Sequence, residues 1–182
     1  MSTARPPEGA RTAARQGEGT PVSTVVDLRI QPLTAEAFAP FGSVMAALPD
    51  GVPFGPGDAP LDLSQGTPRF YVMQLETRGR TVSAITRHRR VTQALASVGG
   101  KPWLLAVAPP LRLDDPDAEP AWSDVRAFRI PGDVAVMLSR GTWHAGPLFD
   151  TPEAAFFNLE LADTNVTDHH TSRLPVALRL VD

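Results

Sequence analysis

The chain contains no cysteine and only four histidines, His88, His144, His169 and His170. Without cysteine it has no disulfides, no thiolate-bound zinc and no thiol nucleophile. That absence also suits a reducing compartment. The first twenty residues carry arginine but lack the apolar stretch of a secretory signal, so a cytoplasmic location is expected. No apolar run approaches the roughly 20 residues needed to cross a bilayer, and no membrane partner is expected. Charge is sparse too: 17 basic and 20 acidic residues leave a net −3, with no basic stripe interleaved with aromatics. Binding to a phosphate backbone needs such a stripe, so a nucleic-acid partner is not expected.

What is present suits one compact domain. The chain has 182 residues, of which 42% are hydrophobic, enough for a sizeable core. Residues 1–24 hold few large apolar side chains and read as a disordered tail, leaving 25–182 as a single domain. Residues 25–30 form a β-rich run. Thr34 can cap a short helix that Pro40 limits. Residues 49–68 are dense in Pro, Gly and Asp and predict a long loop, either a lid or a linker. Strands are expected at 69–75, 80–86, 103–108, 125–130, 134–138 and 155–161, and a second short helix at 91–98. Many short strands with few helices predict an all-β sandwich or small barrel.

Chemistry in such a fold centres on the histidines, because imidazole near the end of a strand can bind a metal or move protons. His144 follows Pro131-Gly132-Asp133, a strand, and the turn Ser139-Arg140-Gly141. This resembles the second cupin motif, in which a tight turn aims a histidine inward. His88 precedes Thr92-Gln93-Ala94, where the first cupin motif carries further metal ligands; here Arg90 replaces a second histidine and Gln93 is nearest to the acidic position. Asn158 and Glu160 share one face of their strand with Phe156 at a period of two. If that face lines the interior, Glu160 becomes a candidate general base. His169 and His170 fall in an expected loop; on a strand they would point to opposite sides, which argues against a shared metal site. Each candidate has a plainer reading. His88 sits among Arg87, Arg89 and Arg90 and could belong to a solvated edge, Gln93 could decorate a helix, and Arg69 could be an ordinary surface residue.

Taken in order, these segments resemble the ureidoglycolate lyase family. The shared pattern runs from Leu33-Thr34-Ala35-Glu36-Ala37-Phe38 and Phe41-Gly42, through His88 with Thr92-Gln93-Ala94 and then Ala106-Val107-Ala108-Pro109. It continues in Arg126-Ala127-Phe128 and Gly141-Thr142-Trp143-His144, with Pro147-Leu148 behind. Ala145 stands where the family commonly has a second histidine. The resemblance implies an all-β, cupin-like double-stranded β-helix (jelly-roll) barrel with a few short helices. It implies an amidine-type carbon–nitrogen lyase that splits ureidoglycolate into glyoxylate and urea during allantoin breakdown, and a homodimer acting on a small carboxylate substrate. On that reading His88 and His144 serve as base, acid or metal ligands. Gln93 bonds the ureido group or completes a metal site, Arg69 holds the substrate carboxylate, and a divalent metal such as nickel is the implied cofactor, with His88, Gln93 and His144 as ligands. The alternatives are another metal-dependent cupin enzyme acting on a small hydroxy acid, and a non-catalytic cupin domain that binds a ureide.

Overall fold

The run from Trp103 to Ala108 is apolar at every position, and every residue in it is buried. A strand that is apolar on both faces must have core on both sides, and this one does in the computed structural model, which describes residues 24–182. Trp103, Leu105 and Val107 enter one cluster with Phe38, Phe41, Phe128 and Phe156. Leu104, Ala106 and Ala108 enter another with Val82, Ile85, Trp143, Leu174 and Leu178. The expected tail at 1–24 lies outside the described residues apart from Thr24.

Eleven strands are described: β1 Val25–Pro32, β2 Gly42–Met45, β3 Pro68–Glu76, β4 Thr81–Arg87, β5 Gln93–Ser97, β6 Trp103–Ala108, β7 Arg126–Ile130, β8 Ala135–Leu138, β9 Trp143–Leu148, β10 Glu153–Leu161 and β11 His170–Val181. Two one-turn helices accompany them, α1 Ala35–Phe38 and α2 Thr164–Thr167. The Thr34 side chain caps α1 by accepting from the Ala37 amide at 3.1 Å, as its position in the sequence predicts.

The strands form a closed barrel in the order β1-β11-β4-β9-β6-β7, backed by a five-stranded sheet in the order β2-β8-β5-β10-β3. The second cluster fills the barrel, and the first packs between barrel and sheet. The fold is mainly β and cupin-like, as expected.

The helix expected at 91–98 is a strand instead. Gln93–Ser97 pairs with β8 on one side and β10 on the other, and Leu95 packs into the first cluster. Ala, Leu and Gln are good helix formers, but a slot between two strands supplies ladder partners and burial that outweigh so weak a preference. Likewise, His170 does not lie in a loop; it opens β11, the longest strand described. The loop expected at 49–68 is present, but it forms none of the central cavity wall described below. It is tied down instead: the Asp62 amide donates to Thr92 Oγ1 at 2.8 Å, and Arg140 pairs with the Asp62 carboxylate at 3.1 Å.

Candidate active site

Between the barrel and the sheet lies a cavity of about 300 Å³. Barrel strands β4 and β9 bring Thr86, which pairs in register with His144. Sheet strands β3, β5 and β10 bring Tyr71, Gln93, Asn158 and Glu160. The two imidazoles come from distant parts of the chain, yet the His88 and His144 ring centroids are 5.1 Å apart, at 53°. The cavity opens between the barrel and the sheet, because apolar side chains, Trp143 among them, fill the barrel interior.

His88 is held from the far end of the chain. Its Nδ1–H donates to the Asp168 carbonyl at 2.6 Å. The Asp168 carboxylate accepts the backbone amides of Arg89 at 2.8 Å and Arg90 at 2.7 Å, which clamps the turn after β4. Across this turn the Gly141 amide donates to the His88 carbonyl at 2.6 Å. Gly141 has φ +78°, a left-handed conformation that favours glycine. His144 Nδ1–H donates to the Thr142 carbonyl at 3.2 Å. A carbonyl can only accept, so both Nδ1 atoms carry the proton and both Nε2 atoms keep a lone pair. Burial pushes His144 down to about 3, with the neighbouring His88 adding to the effect. His88 is also lowered, chiefly by burial, while the Asp168 carbonyl, the Asp168 charge and Glu160 pull the other way. Both rings are therefore neutral at neutral pH, and His88 is the stronger base.

Glu160 faces inward and is 1% exposed, as the strand period allows. It accepts from Gln93 Nε2 and Asn158 Nδ2 at 3.1 Å each, and from Tyr71 Oη and Asn165 Nδ2 at 3.3 Å each. Arg69, half exposed, stands 3.9 Å from Glu160 with its guanidinium 3.6 Å over the Tyr71 ring. It contributes nothing to the cavity wall itself. Gln93 lines the cavity from β5, and its Oε1 is buried with no partner. An unpaired buried acceptor costs about 1–3 kcal/mol, so this atom asks for an explanation.

One further imidazole lies outside the expected set. His169 lines the cavity with its ring 5.8 Å from His88, while His170 turns the other way and packs edge-on against Trp143 at 5.1 Å. The opposite orientation of the pair was legible; the side on which the cavity lies was not. For a divalent cation, the residues present fit in kind: two imidazole Nε2 atoms and one unpartnered amide oxygen. Among the described residues, no three His, Cys, Asp or Glu side chains gather to hold a metal.

Comparison with known proteins gives the family. The family model described as "Ureidoglycolate lyase" matches residues 56–173, which include every candidate side chain named above. A protein named ureidoglycolate lyase from Burkholderia mallei is 29% identical over 167 residues, covering 85% of this chain and 94% of its own length. Those of Pseudomonas putida and Stutzerimonas stutzeri are 35% and 33% identical, covering 64% of this chain and 74% and 72% of their own lengths. With the facing imidazoles, the glycine-supported turn and the polar cluster of β10 all inside the matched span, the chain belongs to the ureidoglycolate lyase family.

Proposed function

We propose that the protein is an amidine-type lyase that splits ureidoglycolate into glyoxylate and urea. The observation that carries this reading is the pair of neutral imidazoles, 5.1 Å apart, at a cavity large enough for a small ureido acid. In the substrate one carbon bears a hydroxyl, a carboxylate and the ureido nitrogen. His88 Nε2 accepts the hydroxyl proton. As the C–O bond becomes C=O, the C–N bond breaks and its electron pair passes to the ureido nitrogen. That nitrogen takes the proton back from His88, so the ring ends neutral and the products are glyoxylate and urea. His88 suits the relay better than His144, whose conjugate acid at about 3 is too strong to hold a proton in transit. His144 instead accepts a hydrogen bond from the substrate hydroxyl or ureido group. Arg69, stacked over Tyr71 beside the cavity rather than in its wall, would have to swing off that ring to hold the carboxylate. The reading includes a homodimer in the cytoplasm.

The unpartnered Gln93 Oε1 and the two exposed lone pairs support a second reading. In it, a divalent cation such as nickel is held by His88, His144 and Gln93, and when bound supplies a Lewis acid that lowers the hydroxyl pKa. One assay separates the possibilities: glyoxylate and urea release from racemic ureidoglycolate, with and without a chelator. Equal release of both products, unchanged by chelation, is expected. Loss on chelation with recovery on added nickel would favour the cation, and no release from either enantiomer would reject the lyase. His88→Ala is expected to reduce turnover by about 10²–10⁴-fold, the usual worth of a placed acid–base group.

A further inference from the structure

A carboxylate has no proton to give in its charged form; it can only accept. Glu160 receives four neutral donors on its two oxygens, from Tyr71, Gln93, Asn158 and Asn165, which fills the sites a carboxylate offers. No lone pair is left over to take a proton from substrate. The same contacts fix the polarity of every amide around it. Asn158 turns its NH₂ toward Glu160 and the Tyr71 oxygen, and so presents Oδ1 to Gln93. Gln93 must then turn Nε2 toward both Asn158 Oδ1 and Glu160 Oε2, at 3.1 Å each. The flipped amide would set Oε1 against two acceptors. Gln93 Oε1 is thus left pointing away from the cluster, buried and unpartnered. Gln93 lines the same cavity as His88 and His144, where a bound ligand can come up against its side chain.

We infer that Glu160 is a positioning residue rather than the base, and that it orients Gln93 so that Oε1 accepts an N–H from the ureido end of the substrate. The inference rests on the lyase reading and adds to it the origin of specificity. An acceptor fixed in this way rewards a ligand carrying an amide N–H and is left unpaired by a hydroxy acid that lacks one. The register explains why these residues act together: Glu160 pairs across to Arg69 on β3, Asn158 to Tyr71 on β3 and to Leu95 on β5.

The two products probe the two ends of the substrate separately. Urea and glyoxylate are tested as inhibitors of wild type, Gln93→Met and Glu160→Gln, alongside KM, kcat and the pH profile for ureidoglycolate. Both variants are expected to raise KM and the urea inhibition constant by about tenfold. Glyoxylate inhibition should stay within about twofold, and the pH profile of kcat should not move. Urea inhibition unchanged in Gln93→Met would overturn the inference. So would a hundredfold fall in kcat for Glu160→Gln at constant urea inhibition, which marks a base, or recovery of Gln93→Met on added nickel, which marks a metal ligand. If Glu160→Gln fails to fold, Gln93→Met decides through the contrast of urea with glyoxylate inhibition, since it keeps the volume while removing Oε1 together with the Nε2 donor. If wild type turns over no ureidoglycolate, the lyase reading falls. Urea binding by calorimetry, weakened or not in Gln93→Met, then still decides the role of Oε1.

Discussion

At the scale of single residues, the cavity is governed by which polar atoms are left without partners. His88 and His144 each use Nδ1 on a backbone carbonyl and keep Nε2 for the cavity. Keeping these rings neutral has a consequence for stability. An unfolded histidine titrates near 6.5, whereas burial holds folded His144 at about 3. Between those values the unfolded chain binds more protons, so stability rises with pH there. The contribution is complete above about pH 6.5 and is lost as the pH falls toward 3, at up to about 1.4 kcal/mol per pH unit. His144→Asn is therefore expected to flatten the dependence of the denaturation midpoint on pH between 6.5 and 5. Urea titrations at four pH values would measure it, and an equally steep variant would refute the assignment. Of the candidate residues, His88 and His144 were singled out by their motif context together with the family resemblance, and Glu160 by the period of its strand. Asp168, His169 and Tyr71 were not, because the groups they meet, His88 for the first two and Glu160 for the third, lie about 80 to 90 positions away. The one local signal for His169 was its adjacency to His170, which on any strand sends one ring to each side.

Among elements, the turn after β4 shows how the fold makes a site from unremarkable sequence. Three successive residues, His88, Arg89 and Arg90, lie among four basic side chains counting Arg87, and they read as a charged edge. The structure sorts them by the direction of the chain. Arg87 is fully buried inside the barrel end, its guanidinium over Trp143 at 4.7 Å and donating to the Asp115 carbonyl at 2.6 Å. His88 turns to the cavity, and Arg90 reaches out to Asp163 and the Gln65 carbonyl. Asp168, at the junction of α2 and β11, holds this sorting in place through two backbone amides. Asp168→Ala would leave both amides short of their acceptor, at a cost of about 2–4 kcal/mol, and would free the turn that carries His88. A lower denaturation midpoint together with a kcat loss larger than the KM change is the expected result; full activity in a destabilised protein would show that the turn holds itself. The strands with strong alternation or continuous apolar runs, such as β6 and β10, were legible in advance. β5 was not, since its short helix-prone segment becomes a strand only when β8 and β10 flank it.

On the scale of the whole molecule, β3 and β10 have two faces with different duties. Inward they carry Tyr71, Asn158 and Glu160 to the cavity; outward they carry Phe70, Val72 and Phe157, which are 68%, 55% and 39% exposed. The Phe70 and Phe157 rings stack at 5.8 Å and 17°, and β3 is the last strand of its sheet. An open edge bordered by exposed aromatics invites pairing, and proteins seldom leave such a face unprotected. The proposed homodimer would use this face, with β3 of one copy against β3 of the other. Because each residue on β3 alternates with its neighbour, a partner pressed on Phe70 and Val72 also steadies Tyr71 and, through it, the Glu160 cluster. Light scattering on the wild-type protein at micromolar concentration should therefore give twice the chain mass, and Phe70→Lys with Phe157→Lys should give the single mass. If the face only assembles the dimer, kcat/KM survives dissociation; if it also stiffens the cavity wall, the monomer loses several-fold in kcat/KM, chiefly through KM. A wild-type chain that is monomeric at those concentrations would remove the dimer and leave the exposed aromatics of β3 and β10 as a surface with some other partner.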